Sequence, residues 1–110
     1  MIRLTTDLWL AAYRRKLEAA GIHAHIVHRG NETAGDVIVK VATMNGEAGL
    51  WERGWDETGN PAWVQTLGPV PEAEAEETAE RRRGRDRDLW VIEIEDPRGR
   101  HLLEDDSFRG

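Results

Sequence analysis

The residues best suited to chemistry begin with His23 and His25, a His-x-His pair. On an extended strand, residues two apart share a face, so both imidazoles can approach one metal ion. His28 and His101 are the other histidines, and cysteine is absent. That absence excludes disulfides, thiolate nucleophiles, Cys-ligated zinc and iron–sulfur clusters. Spacing identifies no third ligand on the face of His23 and His25, and no carboxylate that would orient the rings. The pair therefore reads as solvent-facing strand histidines, weak candidates for metal, and no metal or other cofactor is expected.

A second constellation is Arg81, Arg82, Arg83, Arg85 and Arg87, closely followed by Trp90. Clustered guanidinium groups beside an indole suit a nucleic acid or a phosphorylated ligand, and Gly84 would let them swing clear of a helix. The same stretch carries seven acids, Glu72, Glu74, Glu76, Glu77, Glu80, Asp86 and Asp88, against these five arginines. It is net negative. Trp90 alternates with Ile92 and Ile94, which places its ring in the core instead of on a stacking platform. Phosphate or nucleic-acid binding is accordingly the alternative reading.

The third constellation is Trp51, Arg53, Trp55 and Trp63. Five tryptophans accompany one Tyr and one Phe, so the aromatic chemistry is mostly indole chemistry, and three of the indoles share one hairpin. If the turn pairs Trp55 with Pro61, Trp63 faces Arg53 on the side of both other indoles, an aromatic face with a cation in it. A one-residue slip would move Trp63 to the opposite face. Large aromatics mainly serve burial, so two of the three are expected in the core. An uncovered face would instead be a partner surface, for which Trp and Arg are favoured anchors. The leading expectation is a non-enzymatic interaction module whose partner is another protein or a second copy of itself.

The remaining polar groups give less. Glu93 and Glu95 share a strand face and Asp105-Asp106 lie in the tail, and such acids read as solubilising. No Gly-x-Ser-x-Gly, phosphate-binding glycine loop, dinucleotide fingerprint or His-Glu-x-x-His occurs. Ser107 is the single serine, in an acidic tail expected to fray from about residue 104. No catalytic residue is assigned.

The elements that must position these groups follow from hydrophobic period. Ile2 to Leu4 reads as a short strand, and Thr5 or Thr6 offers a capping hydroxyl to a helix that stops at Gly21. Thr6, Leu10, Tyr13, Leu17 and Ala20, with Trp9 beside them, form its core face. Leu8, Ala11, Ala12 and Ala19 form a second strip that another helix or subunit could cover. From Ile22 the pattern alternates, with Ile22, Ala24 and Ile26 opposite His23, His25 and Val27. Val37 to Ala42 is the most apolar strand and is expected at the sheet centre. Asn45-Gly46 predicts a hairpin returning over Gly49 to Asp56, and Ala62 to Leu67 completes a meander of four strands. After a break at Pro69 and Pro71, Glu72 to Arg83 reads as a charged helix, acids first and arginines last, with alanine as its apolar content. Leu89 to Glu95 is the last strand, and His101 to Leu103 a short pairing segment. The fold class is α+β: a mostly antiparallel sheet of about five strands with two helices, order (β)αββββαβ, the helices most simply on one face.

At 110 residues and 12.5 kDa the chain is one domain, 1–110, with 39% hydrophobic residues to build its core. Fifteen basic against 21 acidic residues give −6 and a sequence pI near 5.2, which opposes net attraction to nucleic acid. The first residues lack a signal-peptide core and no run approaches a membrane span. A cytoplasmic protein away from membranes is expected.

The chain resembles a small bacterial family known as a domain of unknown function. The resemblance rests on Arg3-Leu4-Thr5-Thr6-Asp7-Leu8-Trp9 with Ala12-Tyr13, and on Asp88-Leu89-Trp90-Val91-Ile92-Glu93-Ile94-Glu95-Asp96 followed by Gly99-Arg100-His101. It implies a stand-alone cytoplasmic protein and no particular activity. Arg87 stands where the family often has proline.

Overall fold

A computed structural model of the chain describes residues 4–105. The expected strand at Ile2 to Leu4 and the tail from Asp106 onward therefore fall largely outside the described residues. Leu4 itself lies outside any strand.

Helix α1 (Thr6–Ala19) buries Trp9, Leu10, Tyr13 and Leu17, the stripe that the three- and four-residue steps predict. Ala20, expected on that stripe, is exposed beyond the helix end. Thr5 is the N-cap but makes no capping bond to the helix; its hydroxyl donates to Asp7 Oδ1 at 2.5 Å. Gly21, at φ 75°, closes the helix in the left-handed region that glycine adopts without strain.

Five strands follow: β1 (His23–His28), β2 (Val37–Ala42), β3 (Glu47–Trp55), β4 (Pro61–Pro71) and, after helix α2 (Glu72–Arg85), β5 (Trp90–Glu95). Their order across the sheet is β1-β5-β2-β3-β4. Among the described residues only β2 and β5 run parallel; the other pairs are antiparallel. The four-strand meander is thus corrected to three, β2-β3-β4, because β5 enters between β1 and β2. The reason lies in Ile38, Val39, Val41, Trp90, Val91, Ile92 and Ile94 of β2 and β5, all buried, which lose most water by lying side by side at the sheet centre.

The two helices lie on opposite faces, not on one. α1 packs over Val39, Val41, Trp90, Ile92 and Ile94, while α2 covers Ile38, Ala42, Leu50 and Val91. A central strand with Val39 and Val41 on one side and Ile38 and Ala42 on the other needs a lid on each.

β4 also continues where a break is expected, through a cis Gly68-Pro69 bond to Pro71, and α2 begins at the next residue. As an edge strand it can carry prolines, since an edge leaves backbone N–H groups without ladder partners. His101 to Leu103 pairs with no strand; a single 3-10 turn at Leu103–Asp105 buries Leu103 in the core cluster that contains Trp9, Leu10, Tyr13 and Leu17 of α1.

Candidate functional site

β3 alternates, so Trp51, Arg53 and Trp55 point to the α1 face while Leu50 and Glu52 point to the α2 face. Arg53 pairs with Trp63 and Trp55 with Pro61, the register that places all three indoles on one side. The Arg53 guanidinium stands 5.6 Å from the Trp63 ring, and Trp63 stacks on Trp9 at 5.3 Å. Trp51 is half-buried, with its ring centroid 4.3 Å from that of His101. Trp55 differs from both in being 69% exposed. The indole row therefore runs from core to solvent toward the hairpin tip.

That tip is well defined. Pairing of β3 with β2 extends only to Trp51, opposite Val39, while pairing with β4 continues to Trp55. The outer half of the hairpin projects past β2. Asp56 Oδ1 accepts bonds from the Thr58 amide at 2.9 Å, the Thr58 hydroxyl at 2.7 Å and the Asn60 amide at 2.9 Å. These bonds hold the Asp56 carboxyl below the usual range, the Thr58 side-chain bond contributing most.

The α2 face carries a charge cluster that the sequence does not announce. Lys40 is 2% exposed, and its Nζ donates to Glu93 at 2.7 Å, Glu72 at 2.9 Å and Glu76 at 3.0 Å. Burial alone would push the ammonium pKa down, but the three carboxylates outweigh it and hold it above the ordinary lysine range. These three acids stand close enough together to hold a metal ion, and the ammonium occupies their centre.

Next to this cluster lie the two histidines. β1 pairs with β5 so that His23 faces Glu95 and His25 faces Glu93. His23 Nε2 is 3.6 Å from Glu95 Oε1, and His25 Nε2 is 4.0 Å from Glu93 Oε2. Tertiary structure thus supplies the acids that spacing alone left unassigned. Glu93 is half-buried and engaged, not merely solubilising.

The five arginines do not converge. Arg82 forms a two-pronged pair with Glu52, at 2.9 and 2.7 Å, and Arg81 pairs with Glu77 at 3.5 Å. Arg83 donates to the Arg29 carbonyl at 3.3 Å, while Arg85 and Arg87 are exposed beside Asp86 and Asp88. Glu80, a nominal helical partner for Arg83, reaches His28 of β1 instead. Trp90 is 1% exposed and its indole N–H donates to the Asn31 carbonyl at 2.7 Å, so it offers no stacking surface.

The profile of a family described as "Protein of unknown function (DUF1491)" matches residues 4–104. The chain belongs to the DUF1491 family. It is 39% identical to a DUF1491 family protein from Caulobacter crescentus CB15 solved by crystallography, with a TM-score of 0.81 over 91% of this chain and 94% of that one. A solution NMR structure of a DUF1491 family protein from the same organism matches at 38% identity and TM-score 0.79, over 94% of each chain. The solution structure of protein Atu0922 from A. tumefaciens matches at 28% and 0.71, over 86% of each chain. No curated protein matches. For this DUF1491 chain, then, resemblance supplies the fold and the family, and any activity has to be argued from its own side chains. Two groups are prominent: an exposed indole at a rigid tip on the α1 face, and a histidine–carboxylate cluster on the α2 face.

Proposed function

We propose that this DUF1491 chain is a non-catalytic protein-interaction module that engages its partner through the outer end of the β3–β4 hairpin. The observation that carries the reading is Trp55, 69% exposed on a projecting tip, in line with Arg53 and Trp63. An indole is a large apolar anchor with few rotatable bonds, and a tip already locked by Asp56 loses little entropy on docking. Pro61, Pro69 and Pro71 on the edge strand oppose strand addition, so the contact uses the hairpin face and not its edge. The partner must therefore offer an apolar pocket. A second copy of the chain is one such partner, and on α1 the strip of Leu8, 57% exposed, with Ala11, Ala12 and, at the far end of the helix, Ala19 offers further surface for self-association.

The test compares wild type with Trp55→Ala. The variant is expected to fold normally, within about 0.5 kcal/mol of wild type, as surface changes usually do. It should fail to retain a protein that wild type and a Met44→Ala control both capture from native-cell extract, and sedimentation velocity tells a second copy from another protein. Identical captured sets for wild type and Trp55→Ala, with no change in sedimentation, would remove the reading.

A further inference from the structure

We propose that His23, His25 and Glu95 form a binding site for one late first-row divalent metal ion of the zinc class. Their ligand atoms lie within 4.8 Å of one another. Two imidazole nitrogens and one carboxylate are a donor set found in open zinc sites, which leave a position for water or an external ligand. Magnesium and calcium, in contrast, take oxygen ligands.

The scaffold is fixed while the ligands are free to adjust. His23 and His25 stand two apart on β1, and the β1–β5 register places Glu95 directly across from His23. Zinc with bonds of ~2.1 Å at tetrahedral angles holds its ligand atoms about 3.4 Å apart. His23 Nε2 and Glu95 Oε1 are already at 3.6 Å. With all ligand atoms within 4.8 Å, no separation needs to close by more than about 1.4 Å. Side chains as open as His23 (72%) and His25 (48%) can do this by rotation, without moving backbone.

Charge favours a cation at this end of the cluster. Glu72, Glu76, Glu93 and Glu95 are four carboxylates, and Lys40 is the one ammonium among them, leaving three negative charges. Lys40 is hydrogen-bonded to Glu72, Glu76 and Glu93, whereas the Glu95 carboxylate faces His23 and adds its negative charge on the histidine side. Glu93 links the two: Lys40 holds Oε1 at 2.7 Å, and Oε2 stands 4.0 Å from His25 Nε2. Metal and Trp55 lie on opposite faces of the sheet, so this site stands independently of the interaction surface.

The experiment uses the full chain without a histidine tag, stripped with chelator and titrated calorimetrically with Zn²⁺. One ion per chain with micromolar or tighter affinity is expected. His23→Ala, His25→Ala and Glu95→Gln should each weaken it at least tenfold without lowering the melting temperature of the metal-free protein. In the wild-type protein, Zn²⁺ should shift the ring resonances of His23 and His25 and spare those of His28 and His101. Unchanged affinity in a His23→Ala, His25→Ala double variant, shifts confined to His28 or His101, or displacement of Zn²⁺ by millimolar Mg²⁺ would each overturn the site. The wild-type resonances decide the question even where a variant folds poorly.

Discussion

His101 ties three parts of the molecule together. Its carbonyl accepts the Tyr13 hydroxyl at 2.6 Å, its ring packs against Trp51, and its Nδ1 accepts the Leu103 amide at 3.0 Å. An accepting Nδ1 requires neutral imidazole. Burial lowers the pKa of this histidine below 6.5, opposed in part by Glu104. A base whose folded pKa lies below its unfolded value binds more protons when unfolded, so stability is full above about pH 6.5 and falls as pH drops toward the folded pKa. Melting temperature should therefore decline between pH 7.5 and 5.5, and His101→Gln should flatten that slope, as measured by circular dichroism. Asp96 acts in another window: hydrogen bonds from Arg100 hold its pKa below 3.8, so its contribution persists at all pH values above about 4 and is lost only in stronger acid. The sequence shows His101 as one of four histidines. Its burial depends on α1 and β3, and no local pattern around it announces that.

Helix α2 is held more by charge than by apolar surface. It buries Ala75 and Ala79, small side chains that remove little area from water. Its other ties are Lys40 with Glu72 and Glu76, Arg82 with Glu52, and Glu80 with His28. In the Arg82–Glu52 pair, burial would raise the Glu52 pKa, but the guanidinium and the Thr66 hydroxyl hold it below its usual value. Removing one partner of a buried ion pair costs ~3–5 kcal/mol where the other stays buried, yet Glu72 and Glu76 keep solvent access. Lys40→Met should accordingly destabilise by about 2 kcal/mol in urea unfolding, less than that full penalty, and loosen α2 as seen in amide exchange. An unchanged unfolding midpoint would contradict this account. The acids-first pattern of α2 was legible because the macrodipole acts within one helix. Lys40 was not, since a lysine alternating with Val39 and Val41 reads as a solvated position until α2 covers its face.

Across the whole molecule, inserting β5 between β1 and β2 forces two connections to cross. The link from β1 to β2 passes the link from α2 to β5 at Asp88, where the Asn31 amide donates to the Asp88 carbonyl at 2.9 Å. Glycine permits the crossing: a Cβ on Gly35 would lie 2.2 Å from that carbonyl oxygen, and one on Gly30 2.0 Å from it. Gly35→Ala should cost roughly 1–3 kcal/mol, read as a lower urea midpoint, whereas Gly84→Ala on exposed α2, where a Cβ meets open space, should be neutral or stabilising. Equal midpoints for the two variants would refute the crossing as the reason for glycine. Among the described residues no helix is long and apolar enough to cross a membrane.

What the sequence determined by itself was local. Helical and alternating periods placed the stripe of α1, the faces of β1 and the acid-to-base order of α2. The Asn45-Gly46 turn also followed, because it depends on neighbours a few residues apart, whereas the sequence left the register of Trp55 against Pro61 open and the β3–β4 pairing decided it. Only tertiary structure decided that β5 separates β1 from β2, that the helices take opposite faces, that Lys40 is enclosed, and that Glu95 stands beside His23. Each of these joins residues distant in the chain. Their pairing is selected by the joint burial of two-sided strands and by charge neutralisation under α2, quantities defined only once the whole sheet is assembled.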